Sequence, residues 1–265
     1  MQDQMKKVLE QAARLQRIVP DAILVGGTAS YLYAEHRFSN DHDHIITDLE
    51  ARFNLILESL EREGDWITNR LVYGKIILGE LGGIEAGIRQ LIRKKPLEFQ
   101  KIKIGDIFPD NYKLSGNSDC NSLSGKELQI PYQTKQNLRS ISSKVPISLN
   151  VPTIEEITRI KAYLIVKRNQ MRDYLDFAAL SDKMGILQSA QVLENLDEYY
   201  SDDSNHEKPV LSQLLRQLSN PQPADYRSID QLSNYKGTVQ KWKDWDHIMI
   251  ICKQTAQAVM EKSYA

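Results

Sequence analysis

The sequence contains no apolar run approaching the roughly 18 residues that a helix needs to cross a bilayer. Its first residues follow an amphipathic pattern and lack the apolar core of a secretion signal. Cysteine is scarce, and the two that occur, Cys120 and Cys252, lack metal-ligand spacing. We therefore expect a protein without a membrane segment, in the reducing cytoplasm, with neither thiol catalytic.

The chain also lacks a strong excess of either charge, because 34 Lys and Arg residues oppose 35 Asp and Glu residues. This balance argues against a bulk nucleic-acid binder. Basic residues are nevertheless concentrated in two segments, 89–103 and 159–172. Such runs usually form a solvated surface, but if both segments flanked a cleft they could hold the phosphates of an RNA.

No Gly-x-x-x-x-Gly-Lys-Ser/Thr motif is present, which argues against a P-loop fold. A different glycine turn occurs instead, where the apolar run 21–25 ends in Gly26, Gly27 and Thr28 and a helical pattern follows. We expect Thr28 to cap this helix. The N–H groups of the turn would then face an anion at the helix N-terminus, so the turn could hold phosphate.

Two aspartates one residue apart, Asp41 and Asp43, follow this turn. The period of a strand sends both side chains to one face, roughly 6.5–7 Å apart at the backbone. Two carboxylates so placed can share divalent cations, and Mg²⁺ ions there would activate a hydroxyl and neutralise a leaving pyrophosphate. The pattern therefore favours nucleotidyl transfer dependent on Mg²⁺, with Mn²⁺ as an alternative.

Histidines alternate with these aspartates, so a metal-dependent phosphohydrolase with His and Asp ligands is a competing interpretation. His42 and His44 are expected on the opposite side of the strand, as core or second-layer residues, with His36 close by. A protein that binds a nucleotide or a partner without catalysis is another alternative. The intact acidic pair argues against it.

A capping box at residues 153–156 predicts a helix that begins near Ile154. Lys161 lies on or near its apolar face, where an ammonium is costly to bury unless it meets an anion such as a triphosphate. Snorkelling to solvent is the alternative. The acidic and basic residues of 168–176 share a helical patch that could equally be a surface ion-pair network.

The order Gly26-Gly27-Thr28 and Arg37-x-Ser39-x-Asp41-x-Asp43 resembles the signature of the DNA polymerase β-type nucleotidyltransferase superfamily, in the branch called the AbiEii toxin family. A second match lies downstream. Lys161 and the run Arg168-x-x-x-Arg172-Asp173-x-x-Asp176 resemble the distal lysine and the Arg-Asp-x-x-Asp helix of that family.

The resemblance implies that an NTP is the substrate and that the nucleotide-binding residues are Gly26, Gly27, Thr28, Arg37 and Ser39. Lys161 would bind phosphates, and Asp176, chosen over Asp173, would orient the catalytic groups. The family further implies an RNA acceptor such as the tRNA acceptor end, and a toxin opposed by an antitoxin protein. A protein or a small molecule as acceptor stays open.

This superfamily usually adds a third acid from a neighbouring strand, for which Glu80 and Glu85 are the candidates. The sequence predicts a hairpin whose turn spans residues 79–83, with Glu80 solvated in the turn. Glu85 would lie within a strand between apolar neighbours, where burial is costly unless it is paired or metal-bound. We favour Glu85 as the third metal ligand, and a salt bridge to Arg89 or Lys75 is the alternative.

The predicted fold class is α+β, a nucleotidyltransferase-type mixed sheet flanked by helices and followed by a mainly helical C-terminal part. Residues 1–105 would form the catalytic core, and residues 106–150 a connection of loop and short strands. Residues 151–265 would form the helical part that contributes Lys161 and Asp176 to the site.

Overall fold

The computed structural model describes residues 2–93, 95–107, 148–200, 209–235 and 237–263. Most of the expected connection 106–150, including Cys120, lies outside the described residues. No helix within these ranges is both long enough and apolar enough to cross a bilayer.

Helices and strands are mixed in the first half of the chain, in the order α1 (Gln2–Ile18), β1 (Ile23–Val25), α2 (Gly26–Ala34), β2 (Asp41–Ile46), α3 (Leu49–Glu61), β3 (Trp66–Val72), β4 (Ile76–Leu81) and β5 (Ile84–Gln90). A second, two-stranded sheet follows, built from β6 (Phe99–Lys103) and β7 (Ser148–Pro152), with the short α4 (Ile104–Ile107) after β6.

The described remainder of the chain is helical. Its α-helices are α5 (Ile154–Arg168), α6 (Met171–Met184), α7 (Ile186–Glu194), α8 (Leu196–Tyr200), α9 (Val210–Ser219) and α10 (Trp245–Ser263). Two 3₁₀ segments, Tyr226–Asn234 and Gln240–Trp242, precede α10.

The main sheet has the strand order β1-β2-β5-β4-β3. Its β2–β5 pair is parallel and the other pairs are antiparallel, so the sheet is mixed. The predicted architecture, a mixed sheet flanked by helices and followed by a helical part, is confirmed.

One face of the sheet is covered by α1 and α3, and this contact buries a core of apolar side chains. Leu15 of α1 and Phe53 of α3 pack there with Ile46, Ile77 and Trp66 of the strands. Each such burial stabilises the fold by about 1.5–3 kcal/mol. Because this face is closed, polar side chains on the other face are left to line a cleft.

A second core joins the sheet to the helical part. Leu24 of β1 packs in the same cluster as Ile157 of α5 and Leu180 of α6. The C-terminal helices α6, α7, α9 and α10 have a third core of their own, which includes Phe177, Leu214 and Ile248. The second core fixes α5 and α6 beside β1 and α2, where their polar side chains can reach the cleft.

The local signals had mixed outcomes. The predicted start of the helix and its N-cap are confirmed, since Thr153 Oγ1 accepts a hydrogen bond from the Glu156 backbone N–H at 3.2 Å. The reciprocal half of the capping box is not formed, because the Thr153 N–H donates to the Glu98 carbonyl. The turn predicted at residues 79–83 is shorter, because only Gly82 and Gly83 lie outside the strands, both at positive φ. Glu80 therefore lies within β4 and not in a turn.

Candidate active site

The acidic pair lies on the open face of the sheet. Along β2, Asp41 and Asp43 are half-buried and line a cleft, whereas His42 and His44 are fully buried on the opposite face. The histidine side chains therefore lie behind the strand, out of reach of a site shared with the two carboxylates. The cleft has a volume of about 310 Å³.

Helix α2 begins at Gly26, directly after β1, so the first N–H groups of the helix lie at the cleft. A Cβ built on Gly26 would lie 3.6 Å from Asp43 Oδ2, which places the helix start beside the acidic pair. A Cβ on Gly27 would lie 2.7 Å from Ser39 Oγ and 2.8 Å from Arg37 Nη2. Glycine at position 27 is what lets these two side chains approach the turn.

Thr28 does not cap the helix, contrary to the sequence-based expectation. Val25 occupies the N-cap position and gives no side-chain cap, because Gly26 already belongs to the helix. The Thr28 side chain is 1% exposed, and its hydroxyl donates to the backbone oxygen of Asp41 at 2.6 Å. The structure therefore gives the Thr28 side chain a contact that ties α2 to β2.

Ser39 and Arg37 connect the turn to the acids. Ser39 Oγ donates a 2.5 Å hydrogen bond to Asp41 Oδ1. Arg37 is 4% exposed, lines the cleft and lies with its guanidinium 5.6 Å from the centre of the Tyr235 ring. Both side chains therefore orient groups at the edge of the same cavity.

Asp176 of α6 is the centre of a buried ion cluster. Arg37 donates two hydrogen bonds to its carboxylate, and Lys161 Nζ lies 2.7 Å from its Oδ2. His36 Nε2 lies 2.7 Å from its Oδ1. Lys161 is only 2% exposed, so its ammonium is paired inside the protein and does not snorkel to solvent.

The charges in this cluster do not cancel. Burial by itself would raise the pKa of Asp176, but Arg37 and Lys161 hold it well below its usual value, so the carboxylate is ionised. Burial lowers the pKa of His36, which is therefore neutral. Two cations face one carboxylate, and both cations line the cleft. The cluster thus presents an excess of positive charge to anything that enters the cavity.

Asp173, the alternative distal acid, has a different contact. It accepts two hydrogen bonds of 2.7 Å from Arg168, another residue of the cleft wall. Arg172 also lines the cleft and donates from Nε to Gln170 at 3.0 Å. The single helical patch predicted over residues 168–176 is wrong, because Arg168 ends α5 and the other members belong to α6, with Asn169 at positive φ between the two helices. The two acids of α6 are buried, and the guanidinium groups of both helices face the cavity.

Glu85 lies at the cleft but is not buried, contrary to the argument that favoured it. It is exposed at the start of β5, where its register partner on β2 is Asp41. Within the described residues it forms no ion pair with Arg89 or Lys75. Glu80 is the register partner of Glu85 on the neighbouring strand β4, and it does not line the cleft.

The donors fit Mg²⁺ or Mn²⁺, which prefer carboxylate oxygens. A Cβ on Gly87 would overlap Asp43 Oδ1, so the glycine leaves this oxygen uncrowded. In the parts of the chain that the structure describes, no three His, Cys, Asp or Glu side chains converge into a metal-binding group. Asp41 and Asp43 would therefore hold a cation together with substrate phosphate and water, as is usual for Mg²⁺.

The basic segment 89–103 contributes less to the cleft than its charge suggested. Arg89 lines the cleft, with Nε 3.4 Å from Asp43 Oδ1. Arg93 is 7% exposed and pairs with Glu156 at 2.7 Å, while Lys95 pairs with Glu198. This segment therefore binds the helical part more than it flanks the cavity.

Several residues of the cleft and its cluster were not identified as site residues from the sequence, and four of them carry polar side chains that bear on the chemistry. Tyr235, Asn69 and Arg70 line the cavity, and His36 contacts Asp176. The strand pattern of residues 66–72 could have placed Asn69 and Arg70 in the sheet that carries the acidic pair. Nothing local marks Tyr235, which reaches the site only through the packing of the segment between the two 3₁₀ helices.

No family model matches the sequence. Parts of the chain are similar to curated proteins, among them the mycolic acid-containing lipids exporter MmpL11 of Mycolicibacterium smegmatis, 31% identical over 137 residues. The heme uptake protein MmpL11 of Mycobacterium tuberculosis is 29% identical over 147 residues. These matches cover 51% and 55% of this chain, and the chain spans only 14% and 15% of those proteins.

Three solved structures are similar over most of this chain. A provisionally assigned nucleotidyltransferase from Helicobacter pylori is 15% identical with a TM-score of 0.43, covering 97% of this chain and 94% of that one. JHP933 from Helicobacter pylori is 13% identical, with a TM-score of 0.39 and coverage of 97% and 95%. An antigenic nucleotidyltransferase-like protein from Paracoccidioides brasiliensis is 16% identical, with a TM-score of 0.38 and coverage of 81% and 93%. Since these likenesses are remote, the chemistry of the site rests on this chain's own residues.

Proposed function

We propose that this protein is a metal-dependent nucleotidyltransferase that moves a nucleoside monophosphate from an NTP to an acceptor. The observation that carries the proposal is the meeting of three features in one cleft. The acidic pair Asp41 and Asp43 lies beside the N-terminus of α2, and both face the cationic cluster around Asp176.

Each feature supplies one requirement of the reaction. The N–H groups at the start of α2 and the excess charge of Arg37 and Lys161 attract the triphosphate. Asp41 and Asp43 would hold Mg²⁺ or Mn²⁺ together with substrate phosphate and water; when bound, the metal supplies charge neutralisation and activation of the acceptor hydroxyl. Ser39 orients Asp41 for this task.

Asp176 acts through the two cations that it binds. It holds Arg37 and Lys161 in fixed positions, so that little reorganisation is needed when the triphosphate arrives. Because one carboxylate cannot neutralise both cations, an incoming phosphate gains from a site that is already positive. We assign Asp176 a positioning role and Lys161 and Arg37 a direct contact with phosphate.

The acceptor that we propose is RNA, with the tRNA acceptor end as the first candidate, in a toxin opposed by an antitoxin protein. Support for this part comes from the AbiEii-like motifs together with the guanidinium groups of the cleft wall, which suit a polyanionic substrate. Transfer to a protein is the competing outcome of the test below.

The test incubates the purified protein with Mg²⁺, each α-labelled NTP in turn, and either total tRNA or bulk protein. Asp41→Ala and Asp43→Ala should each lose about 100-fold or more of the transfer rate, since several kcal/mol of charge stabilisation disappear. Asp230→Ala is the matched control, because Asp230 is exposed on a 3₁₀ segment outside the cleft. Transfer that survives in both variants would disprove the site, and NTP binding without transfer to any acceptor would indicate a non-catalytic protein.

A further inference from the structure

The edge strand β3 turns two successive side chains into the cleft. In a regular strand, neighbouring side chains point to opposite faces, yet Asn69 and Arg70 both line the cavity. The register between β3 and β4 shifts between Thr68 and Arg70, which leaves Asn69 as the extra residue of a β-bulge. The bulge explains why this strand presents both an amide and a guanidinium to the same space.

Arg70 belongs to the same cross-strand row as Asp43 of the acidic pair. Asp43 is the register partner of Gly87, Gly87 of Leu78, and Leu78 of Arg70. Three strand spacings therefore separate Asp43 from Arg70, about 14 Å at the backbone. Gly87 has no side chain, so Leu78 alone places a side chain between them in this row.

The two side chains of the bulge are available for a ligand. Within the described ranges, neither Asn69 nor Arg70 has a side-chain hydrogen bond or ion pair. The other cations of the cleft already have partners. Arg37, Lys161, Arg168 and Arg89 are bound to carboxylates, and Arg172 donates to the amide oxygen of Gln170. A free guanidinium next to an amide is suited to bind a phosphate diester.

The position of the bulge indicates that its side chains contact the acceptor and not the leaving pyrophosphate of the NTP. In an in-line displacement at phosphorus, the attacking and the leaving oxygen lie on opposite sides. The leaving pyrophosphate would lie toward the start of α2, which follows β1 on one side of the acids. Strand β3 lies on the other side of them, so Arg70 is on the side from which the acceptor hydroxyl attacks.

We propose that Asn69 and Arg70 are the acceptor-specificity residues, and that they bind a phosphodiester of the nucleic-acid strand that carries the attacking hydroxyl. This inference rests on the proposed nucleotidyl transfer. On this proposal the two residues govern recognition of the acceptor and leave NTP affinity unchanged.

The test compares Arg70→Gln and Asn69→Ala with the control Arg62→Gln. Arg62 is an arginine at the end of α3 whose side chain is 75% exposed and does not line the cleft. Arg70→Gln should raise KM for tRNA about tenfold and reduce the slope of log KM against log salt by about one. Asn69→Ala should raise KM for tRNA in the same direction. KM for the NTP, and NTP binding measured directly, should match the control.

Direct binding of total tRNA, measured by fluorescence anisotropy without NTP, separates the two proposals. Binding that weakens in Arg70→Gln but not in Arg62→Gln supports the inference, even if the wild-type protein transfers nothing and the proposed function fails. Three results would overturn the inference. They are no tRNA binding by the wild type, equal tRNA affinity in Arg70→Gln and Arg62→Gln, or a rise in KM for the NTP in Arg70→Gln as large as its rise in KM for tRNA.

Discussion

Arg37 binds Asp176 through two parallel hydrogen bonds, Nε to Oδ1 at 2.6 Å and Nη2 to Oδ2 at 2.8 Å, although 139 residues separate them in the chain. Both side chains are at least 96% buried. The contact joins the segment before the acidic strand to helix α6. It therefore links folding of the helical part to the geometry of the proposed phosphate site.

Replacing Asp176 with Asn should destabilise the protein by about 3–5 kcal/mol, because Arg37 and Lys161 would remain buried without their carboxylate. Urea unfolding followed by circular dichroism measures this change. The control is Asp182→Asn, since Asp182 pairs with Lys241 at the surface and its loss should cost about 1 kcal/mol or less. Equal losses in the two variants would contradict the assigned role of Asp176.

Arg37→Lys should weaken NTP binding although it preserves the charge. A lysine ammonium cannot form the bidentate contact with Asp176, so the cation would no longer be held against the turn at Gly27. We expect the Kd for a non-hydrolysable NTP to rise about tenfold by calorimetry. Arg52→Lys, on surface contacts to Asp21 and Asp48, is the control and should bind NTP as the wild type does.

A methyl group at Gly27 should disrupt the site through steric overlap. Its Cβ would lie within 2.8 Å of Ser39 Oγ and Arg37 Nη2, closer than van der Waals contact allows. Gly27→Ala should therefore raise KM for the NTP by about tenfold or more. Gly105→Ala is the control, because nothing lies within 4 Å of a Cβ there. Wild-type kinetics in Gly27→Ala would show that the turn has room to relax.

Stability should fall between pH 6.5 and pH 4. Burial lowers the pKa of His42 to about 4, below its unfolded value near 6.5. Below pH 6.5 the unfolded chain therefore binds a proton that the folded protein excludes, so unfolding becomes easier by up to about 1.4 kcal/mol per pH unit. Above pH 6.5 this contribution to stability is complete.

Urea titrations at pH 7, 6 and 5 measure that dependence, and His42→Leu removes one titrating group from it. The variant should lose less stability than the wild type as pH falls. Parallel curves for the two proteins would mean that His42 titrates equally in the folded and unfolded chains.

The sequence located the parts of the site that depend on local pattern. Alternation along β2 predicted the shared face of Asp41 and Asp43, which the described geometry confirms. The two glycines indicated the end of a strand and the start of a helix, but the helix already begins at Gly26, before the expected cap at Thr28. Contacts that depend on distant pairing could not be predicted. The bulge at Asn69 exists only because β3 shifts its register against β4, and nothing within β3 alone fixes that shift.

Glu85 shows why burial is hard to judge from neighbours in the sequence. Apolar residues flank it in the sequence, yet its side chain is exposed. Glu85 is the second residue of β5, and this strand begins at the rim of the cleft. The role of Lys161 was argued from the cost of burying an ammonium. The structure adds the identity of its partner, Asp176, which the order of residues in the chain could not single out by itself.

The division of the site between β2 and α6 also matters during synthesis. The acidic pair leaves the ribosome well before residue 176, and at about 5–20 residues per second the rest follows some seconds later. Until then Arg37 has no carboxylate to hold it, and α5, with Lys161, has not packed on β1. A growing chain would thus carry an incomplete site, so the proposed activity would appear only after the helical part has folded.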